Sequence, residues 1–515
     1  MPDLNLRLAA AIAAGKAAGL ASRALGIGGG TTLPGVVARR IAPDALRRLS
    51  AALPQGVVLV GGTNGKTTTT RMLATILSSA GRRVLHNRAG ANLVTGLTAT
   101  ALAGSTLAGQ VGADIGLFET DEAALPQALV ETRPRLLLLH NLFRDQLDRY
   151  GEVDAIAAGW RAALEQLPAG ATVLLNADDP AIAALGQGLA AQVRYYGMED
   201  PRHTGGATHL ADAQFCRRCG APYQYSALFY AHVGHYACAR CGHHRPQPHY
   251  RLERLELEGI AASRLFISFP IDPPAAADPG AKGYLEIRLP LPGLYNALNA
   301  LAAASAALLL GVAPVCIRDT LETFSAAFGR IERVDAGGKP LLLALIKNPV
   351  GASETVRMLT GSREPEERGD GETEYRRQEL GEDTSRIPFH ARTGDPVVWP
   401  NPQAGLHLLI AINDNYADGT DVSWLWDADF ERMAGRVERA VVSGTRVDDM
   451  AVRLKYAGVE PERLLVEPDL ARALDAALAR LPAGATLYAL PTYTAMLELR
   501  AELARRGWVR PFWED

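Results

Sequence analysis

Residues 62–68 read Gly62-Thr63-Asn64-Gly65-Lys66-Thr67-Thr68. An apolar run, Val57-Val58-Leu59-Val60, precedes them, and a helical pattern, Arg71-Met72-Leu73-Ala74-Thr75-Ile76-Leu77, follows. Strand, tight glycine-rich turn and helix start are the three parts of a phosphate-binding loop. The N–H groups of such a turn point at phosphate oxygens, the Lys66 ammonium can reach the β- and γ-phosphates, and the Thr67 hydroxyl can ligate Mg²⁺. This segment commits the chain to an α/β unit that binds a nucleoside triphosphate, ATP being expected. The glycine spacing narrows the choice. Gly61 and Gly65 enclose three residues and position 60 is Val, whereas the standard Walker loop is one residue longer between its glycines.

A chain of 515 residues is too long for one ordinary domain, so about two or three are expected. With 48% apolar and 21% charged residues it can bury a large core. A net charge of -3 offers no basic field for nucleic acid or for an anionic membrane. Arg7, Lys16 and Arg23 interrupt the Ala/Leu-rich N-terminus. No apolar run reaches the roughly 18 residues of a spanning helix, and no signal-peptide layout is present. A cytoplasmic protein is the expectation. The N-terminal stretch then either packs on the phosphate-loop domain or lies as an amphipathic helix on a membrane surface, a peripheral contact at most.

Residues 1–50 read as a helical segment. In a central unit over 51–328, strand-like runs alternate with helical patterns from 55 to about 200: Val57–Val60, Ile115–Phe118, Leu136–His140, Thr172–Asn176 and Val193–Tyr196. The pattern resumes around 251–330 with Arg264–Phe269 and a helix from about Asn296 to Leu310. The alternation predicts a parallel, doubly wound sheet. A second, Rossmann-like α/β unit is expected over 329–515, with strands at Leu341–Ile346, Leu406–Asn413, Arg439–Ser443, Leu464–Val466 and Thr486–Leu490. Its 361–400 segment is dense in Glu and Arg and reads as a charged loop insertion.

The rhythm breaks at about 202–250, where Cys216, Cys219, Cys238 and Cys241 form Cys-x2-Cys-x18-Cys-x2-Cys. That spacing fits a structural zinc ribbon, each pair presenting two thiolates to one tetrahedral Zn²⁺. Gly220 and Gly242 follow the second Cys of each pair, where the turn needs a permissive backbone. Four thiolates leave no open coordination position, so the site should be structural. His232, His235, His243 and His244 are expected at the surface or around the ligands. Cys316 lies in an apolar helical context and reads as a core residue.

Glu119-Thr120-Asp121-Glu122 follows a strand, where a carboxylate near a phosphate loop is placed for Mg²⁺ or simply opens a helix. Asn141 to Tyr150 and Asn176-Ala177-Asp178-Asp179-Pro180 follow two further strands, the end of a parallel sheet where ligands bind.

Taken together, the loop, the 119–122 acids, Asp145-Gln146-Leu147-Asp148-Arg149, Asn176 to Pro180, Tyr295-Asn296-Ala297-Leu298-Asn299-Ala300 and Gly329-Arg330-Ile331-Glu332 resemble the Mur ligase superfamily in content and order. Those enzymes use ATP to turn a carboxylate into an acyl phosphate, which an amine attacks. The resemblance implies Gly62 to Thr68 and Glu119 on phosphate and Mg²⁺, Asn296 and Asn299 near adenine, and Arg330 reaching phosphate from the domain junction. Departures single out one branch. Only about 50 residues precede the loop, the ribbon is foreign to ordinary members, and Ile346-Lys347-Asn348-Pro349 stands where they have Asp-Tyr-Ala-His-Asn-Pro, with Ala344 at the Asp position. Together with Asn413-Asp414-Asn415-Tyr416-Ala417-Asp418-Gly419-Thr420-Asp421-Val422-Ser423-Trp424, they resemble the MurT family, the ligase subunits of lipid II isoglutaminyl synthase. That resemblance implies amidation of lipid II at the inner face of the membrane and a GatD-type class-I glutamine amidotransferase as partner. It also implies that Asp421 completes the partner's catalytic triad while Asp418 shapes the turn. A stand-alone ligase of the folylpolyglutamate type and a nucleotide-sensing ribbon adaptor are the alternatives.

Overall fold

The computed structural model describes residues 6–24, 32–87, 91–143, 152–205, 214–258, 261–271, 282–324, 330–360, 405–415 and 418–510. The 361–400 insertion, Asp145 to Arg149 and Gly329 lie outside them.

Seventeen strands are seen among the described residues: β1 (Val57–Gly61), β2 (Val84–His86), β3 (Ile115–Glu119), β4 (Leu136–Leu139), β5 (Thr172–Asn176), β6 (Gln192–Met198), β7 (Gln224–Tyr230), β8 (Val233–Ala237), β9 (Tyr250–Glu258), β10 (Ala262–Pro270), β11 (Lys282–Leu289), β12 (Arg330–Asp335), β13 (Pro340–Ala344), β14 (Leu406–Ala411), β15 (Val437–Ser443), β16 (Leu464–Val466) and β17 (Leu487–Pro491). The first sheet runs β11-β10-β9-β6-β5-β4-β1-β3-β2. From β2 through β6 to β9 neighbours are parallel, but β9, β10 and β11 pair antiparallel. β1 to β6 thus form the parallel sheet expected from the alternation, and β9 to β11, beyond the cysteine segment, make the whole sheet mixed. The antiparallel strands carry alternating polar and apolar residues and leave one face wet.

β1 shows how the sequence builds the core. All five of its residues are buried. Val58 and Val60 face one apolar cluster with the helices Lys66–Ser79 and Leu294–Leu309. Val57 and Leu59 face the other, with Trp160, Leu46, Leu49, Leu8 and Ile12. Each such side chain taken out of water contributes about 1.5–3 kcal/mol. The N-terminal segment forms the helices Leu6–Ala24, Leu33–Ile41 and Ala45–Ala51 and packs on this second face. No helix among the described residues is long and apolar enough to cross a membrane.

The second sheet runs β12-β13-β17-β14-β15-β16, parallel except for β12. β7 and β8 form a separate hairpin carrying the cysteine segment.

Candidate functional site

β1 lies between β3 and β4, with Val60 paired to Glu119 and Gly61 to Leu139. The ends of three strands thus converge on the loop that leads into the helix Lys66–Ser79. Gly65 has φ +87°, and a Cβ there would come within 2.2 Å of Asn299 Oδ1. Only glycine lets the loop pass against the helix Leu294–Leu309. The segment after β4 fixes the loop's backbone. Thr63 N–H donates to Asn141 O at 2.9 Å, Asn64 N–H to Asn141 Oδ1 at 2.8 Å, and Phe143 N–H to Thr63 Oγ1 at 3.0 Å.

Lys66 is 7% exposed, and its Nζ donates to Glu122 Oε1 at 2.8 Å. Thr67 Oγ1 donates to Glu119 Oε1 at 3.0 Å. Both acids are held from behind: Trp160 Nε1 donates to Glu122 O at 2.8 Å, and Asn87 bonds the Glu119 amide and carbonyl at 2.8 and 2.9 Å. A buried ammonium, a hydroxyl and a carboxylate on one loop complement a phosphate and a hard cation, and the Thr67 and Glu119 oxygens suit Mg²⁺. Thr68 is buried beside them in the first helical turn. Asn64 Nδ2 and Asn299 Nδ2 are buried with no partner among the described residues, two donors a bound nucleotide can satisfy. Asn296 is tied to Pro292 O at 2.7 Å. Arg330 opens β12, and its side chain lies outside the described residues.

The second unit reaches the same loop. Asn348 Nδ2, at the start of the helix Pro349–Thr360, donates to Asn64 Oδ1 at 3.0 Å. Asn87, His140 and Asn348 are the residues that sequence reasoning missed here. His140 carried one signal, a polar residue directly after an apolar parallel strand.

Asp421 is half-buried and accepts the Ser423 amide at 2.7 Å through Oδ1. Asp418 is buried and accepts the Thr494 amide at 2.7 Å and its hydroxyl; it shapes the polar turn against the helix Tyr493–Arg505.

The sulfurs of Cys216, Cys219, Cys238 and Cys241 all lie within 4.8 Å of one another, with two pairs at 3.5 Å. A tetrahedral site with Zn–S near 2.3 Å needs sulfurs about 3.8 Å apart, so the donor set fits zinc. Gly220 and Gly242 both have φ +72°, as the knuckle turns require. The thiols of Cys216 and Cys241 are shifted in opposite directions. Against the cost of burial, the Arg218 and Cys219 amides hold the Cys216 thiol down at about 5. For Cys241 the His243 amide favours the thiolate, but burial and bonds to the other three sulfurs push it up to about 12. Four thiolates at this spacing need a cation among them.

Asp178 and Asp179 stand at the sheet end where a ligand was expected, yet neither is exposed. Asp179 accepts the amides of Leu142, Ala181 and Ile182 at 2.9, 2.8 and 3.1 Å and meets His232 Nε2 at 3.2 Å. Burial pushes its pKa up, but the His232 contact and the amides outweigh burial and leave it lowered. Asp178 accepts from Arg245 Nε at 2.6 Å and Met198 N–H at 2.8 Å, and burial leaves its pKa raised. Both carboxylates anchor the cysteine segment. His232 is accordingly fully buried, not at the surface.

The Mur ligase middle domain profile matches residues 60–219, and the MurT ligase C-terminal profile matches 398–496. The chain is 31% identical over 96% of its length, and 97% of the relative's, to the lipid II isoglutaminyl synthase (glutamine-hydrolyzing) subunit MurT of Staphylococcus aureus (strain N315). The Streptococcus pneumoniae (strain ATCC BAA-255 / R6) protein of the same name is 32% identical over 98% of this chain and 99% of its own. Among solved structures, a pseudomurein peptide ligase type C from Methanothermus fervidus superposes with a TM-score of 0.61 at 18% identity, covering 90% of this chain and 81% of that one. It shares the Mur ligase fold.

Proposed function

The chain belongs to the MurT family of lipid II isoglutaminyl synthase subunits, and from that premise we propose that it amidates the α-carboxylate of D-glutamate in the lipid II stem peptide to D-isoglutamine. The observation that carries this reading is the loop itself, with Lys66 on Glu122, Thr67 on Glu119 and Asn348 on Asn64. A carboxylate oxygen attacks the γ-phosphorus of ATP and ADP leaves, giving an acyl phosphate. Ammonia then attacks the acyl carbon, the C–O bond to phosphate breaks, and the amide forms as phosphate and a proton depart. Lys66 exchanges Glu122 for phosphate oxygens, so its charge is neutralised before and after binding. Thr67 and Glu119 would hold Mg²⁺, which would supply charge neutralisation to the phosphates. Asn296, Asn299 and the remaining loop residues line the nucleotide, and Arg330 reaches its phosphates.

Ammonia comes from a GatD-type class-I glutamine amidotransferase. Of this chain's five cysteines, four form the metal cluster, and Cys316 is half-buried in the helix Pro314–Glu322. Asp421 completes the partner's triad, a carboxylate that fixes the histidine tautomer and stabilises its cation. The units are an N-terminal helical segment (1–50), a central ATP-binding domain (51–328) and a C-terminal α/β domain (329–515). The complex works at the inner face of the membrane, where Leu6 and Leu20, 75% and 64% exposed, give at most peripheral contact.

The test separates two activities of the purified complex. Lys66→Ala should abolish ATP-dependent amidation yet keep glutaminase activity, and full amidation by that variant refutes the loop's role. Asp421→Asn should lower glutamate release from glutamine by orders of magnitude; undiminished release removes it from the triad.

A further inference from the structure

The sulfurs occupy one end of the β7–β8 hairpin, and the other end is driven into the molecule. Phe229, His232 and Val233 have no exposed surface. Phe229, Tyr230 and Val233 share one apolar cluster with Val60 at the root of the nucleotide loop, with Phe143, and with Val350 of the helix Pro349–Thr360. Polar contacts follow the same route in both directions. Toward the loop, His232 Nε2 meets Asp179 Oδ2 at 3.2 Å, and that oxygen also accepts the Leu142 amide at 2.9 Å. The His232 ring lies 4.7 Å from the Phe143 ring, and Phe143 N–H donates to Thr63 Oγ1 at 3.0 Å. Toward the second unit, Arg357 Nη1 donates to Phe229 O at 2.7 Å. Its guanidinium is 3.4 Å from Glu354 and lies so close to Gly205 that a Cβ there would come within 2.8 Å of Nη2.

We infer that the cysteine ribbon is a strut that sets the C-terminal unit against the nucleotide loop, with His232 and Arg357 as its two positioning residues. The inference rests on the reading of the loop as the ATP site. Arg357 belongs to the helix whose first turn follows Asn348, and Asn348 bonds Asn64 of the loop. Elsewhere Arg333 Nη2 donates to Ala261 O at 3.2 Å and Tyr295 packs on the C-terminal core, but at the loop itself one neutral amide–amide bond is too weak to fix the orientation. The hairpin tip adds a charge-assisted anchor on the C-terminal side and a buried carboxylate contact on the loop side. The tip therefore fixes the separation at which Asn348 reaches the loop, and phosphoryl transfer is acutely sensitive to such placement. Neither residue touches the reacting atoms, so loss of the strut should slow the chemical step far more than it weakens nucleotide binding, for which the first unit supplies the loop, Asn296 and Asn299.

The experiment uses the full chain with its partner subunit and three variants, Arg357→Gln, Arg357→Lys and His232→Gln. ADP affinity is measured by calorimetry, kcat and KM for ATP by the amidation assay, and the opening of residues 349–360 by hydrogen exchange. Arg357→Gln should bind ADP within about twofold of the parent, lose at least about tenfold in kcat, and exchange faster across 349–360. Arg357→Lys, which keeps one donor for Phe229 O, should recover part of kcat. His232→Gln should lower kcat in the same manner without faster exchange at 349–360. Unchanged kcat in Arg357→Gln overturns the strut. Equal loss of ADP binding and kcat also overturns it, since Arg357 would then serve the fold at large. Failure of the parent chain to bind ADP would instead strike the reading of the loop.

Discussion

His140 offers a quantitative test of how the nucleotide loop is supported. It follows β4, is 2% exposed, and stands between two hydroxyls, with Nε2 2.7 Å from Thr69 Oγ1 and Nδ1 2.9 Å from Tyr196 OH. Thr69 gives its own proton to Asn299 O at 3.4 Å, so the consistent assignment has Nε2–H donating to Thr69 and Nδ1 accepting from Tyr196. A second ring proton would oppose the Tyr196 O–H in a buried site. Burial first, and the nearby Lys66 charge second, hold its pKa down from 6.5 to about 3. That drop corresponds to about 4–5 kcal/mol of resistance to protonation in the folded state.

The sign follows from proton counting. Between pH 6.5 and about 3 the unfolded chain carries the His140 proton and the folded chain does not, so stability rises with pH across this window. The contribution is complete above the unfolded value and is lost on acidification at about 1.4 kcal/mol per pH unit. Going from pH 7 to 5 should therefore remove about 2 kcal/mol through this one ring. His140→Gln keeps a donor and an acceptor but cannot titrate. Thermal unfolding of parent and variant, run in pairs at each pH, cancels the other titrating groups. The gap in Tm should shrink by about 4–8 °C between pH 7 and 5. A gap that stays constant with pH would refute the buried neutral histidine and the tautomer built on it.

Three further outcomes are expected. Gly65→Ala places a methyl 2.2 Å from Asn299 Oδ1 at a positive φ; calorimetry should show ADP affinity reduced by at least about tenfold, with the circular dichroism spectrum unchanged. Arg245→Met leaves the Asp178 carboxylate buried and unpaired, which should cost about 3–5 kcal/mol in urea unfolding at pH 7. Burial already raises the Asp178 pKa, and a raised folded pKa gives stability that is present at low pH and lost as pH rises, so the deficit should narrow toward pH 4. Elemental analysis should find one zinc per chain, and Cys216→Ser should lose that metal and lower Tm, whereas retention of a full zinc equivalent would exclude Cys216 as a ligand.

What was legible in the sequence was local. The loop could be read because its glycines, lysine and threonines are contiguous, and the cysteine cluster because each knuckle closes within a few residues. The parallel strands could be read because both their faces are covered and the chain shows unbroken apolar runs. β2 is three residues long, and β9 and β11 alternate polar with apolar residues, Tyr250, Leu252 and Leu255 being buried and Arg254 exposed. Such strands look like loops until a partner strand is known.

The failure at Asp178 and Asp179 has the same origin. Their place after β5 marks them as polar groups at a ligand-binding edge, and nothing nearby in the chain says otherwise. The residues that claim them, Arg245 and His232, arrive more than fifty positions later on a hairpin whose local sequence announces only metal binding. A carboxylate at a sheet end can face a ligand or anchor an insertion, and desolvation decides between them. Glu119 keeps Thr67 as a partner on the nucleotide loop, whereas Asp179 is enclosed by three amides and an imidazole, with no capacity left for Mg²⁺. The insertion has thus converted part of an ordinary binding edge into its own foundation, which is why the metal end of the ribbon could be read from spacing while its destination in the fold could not.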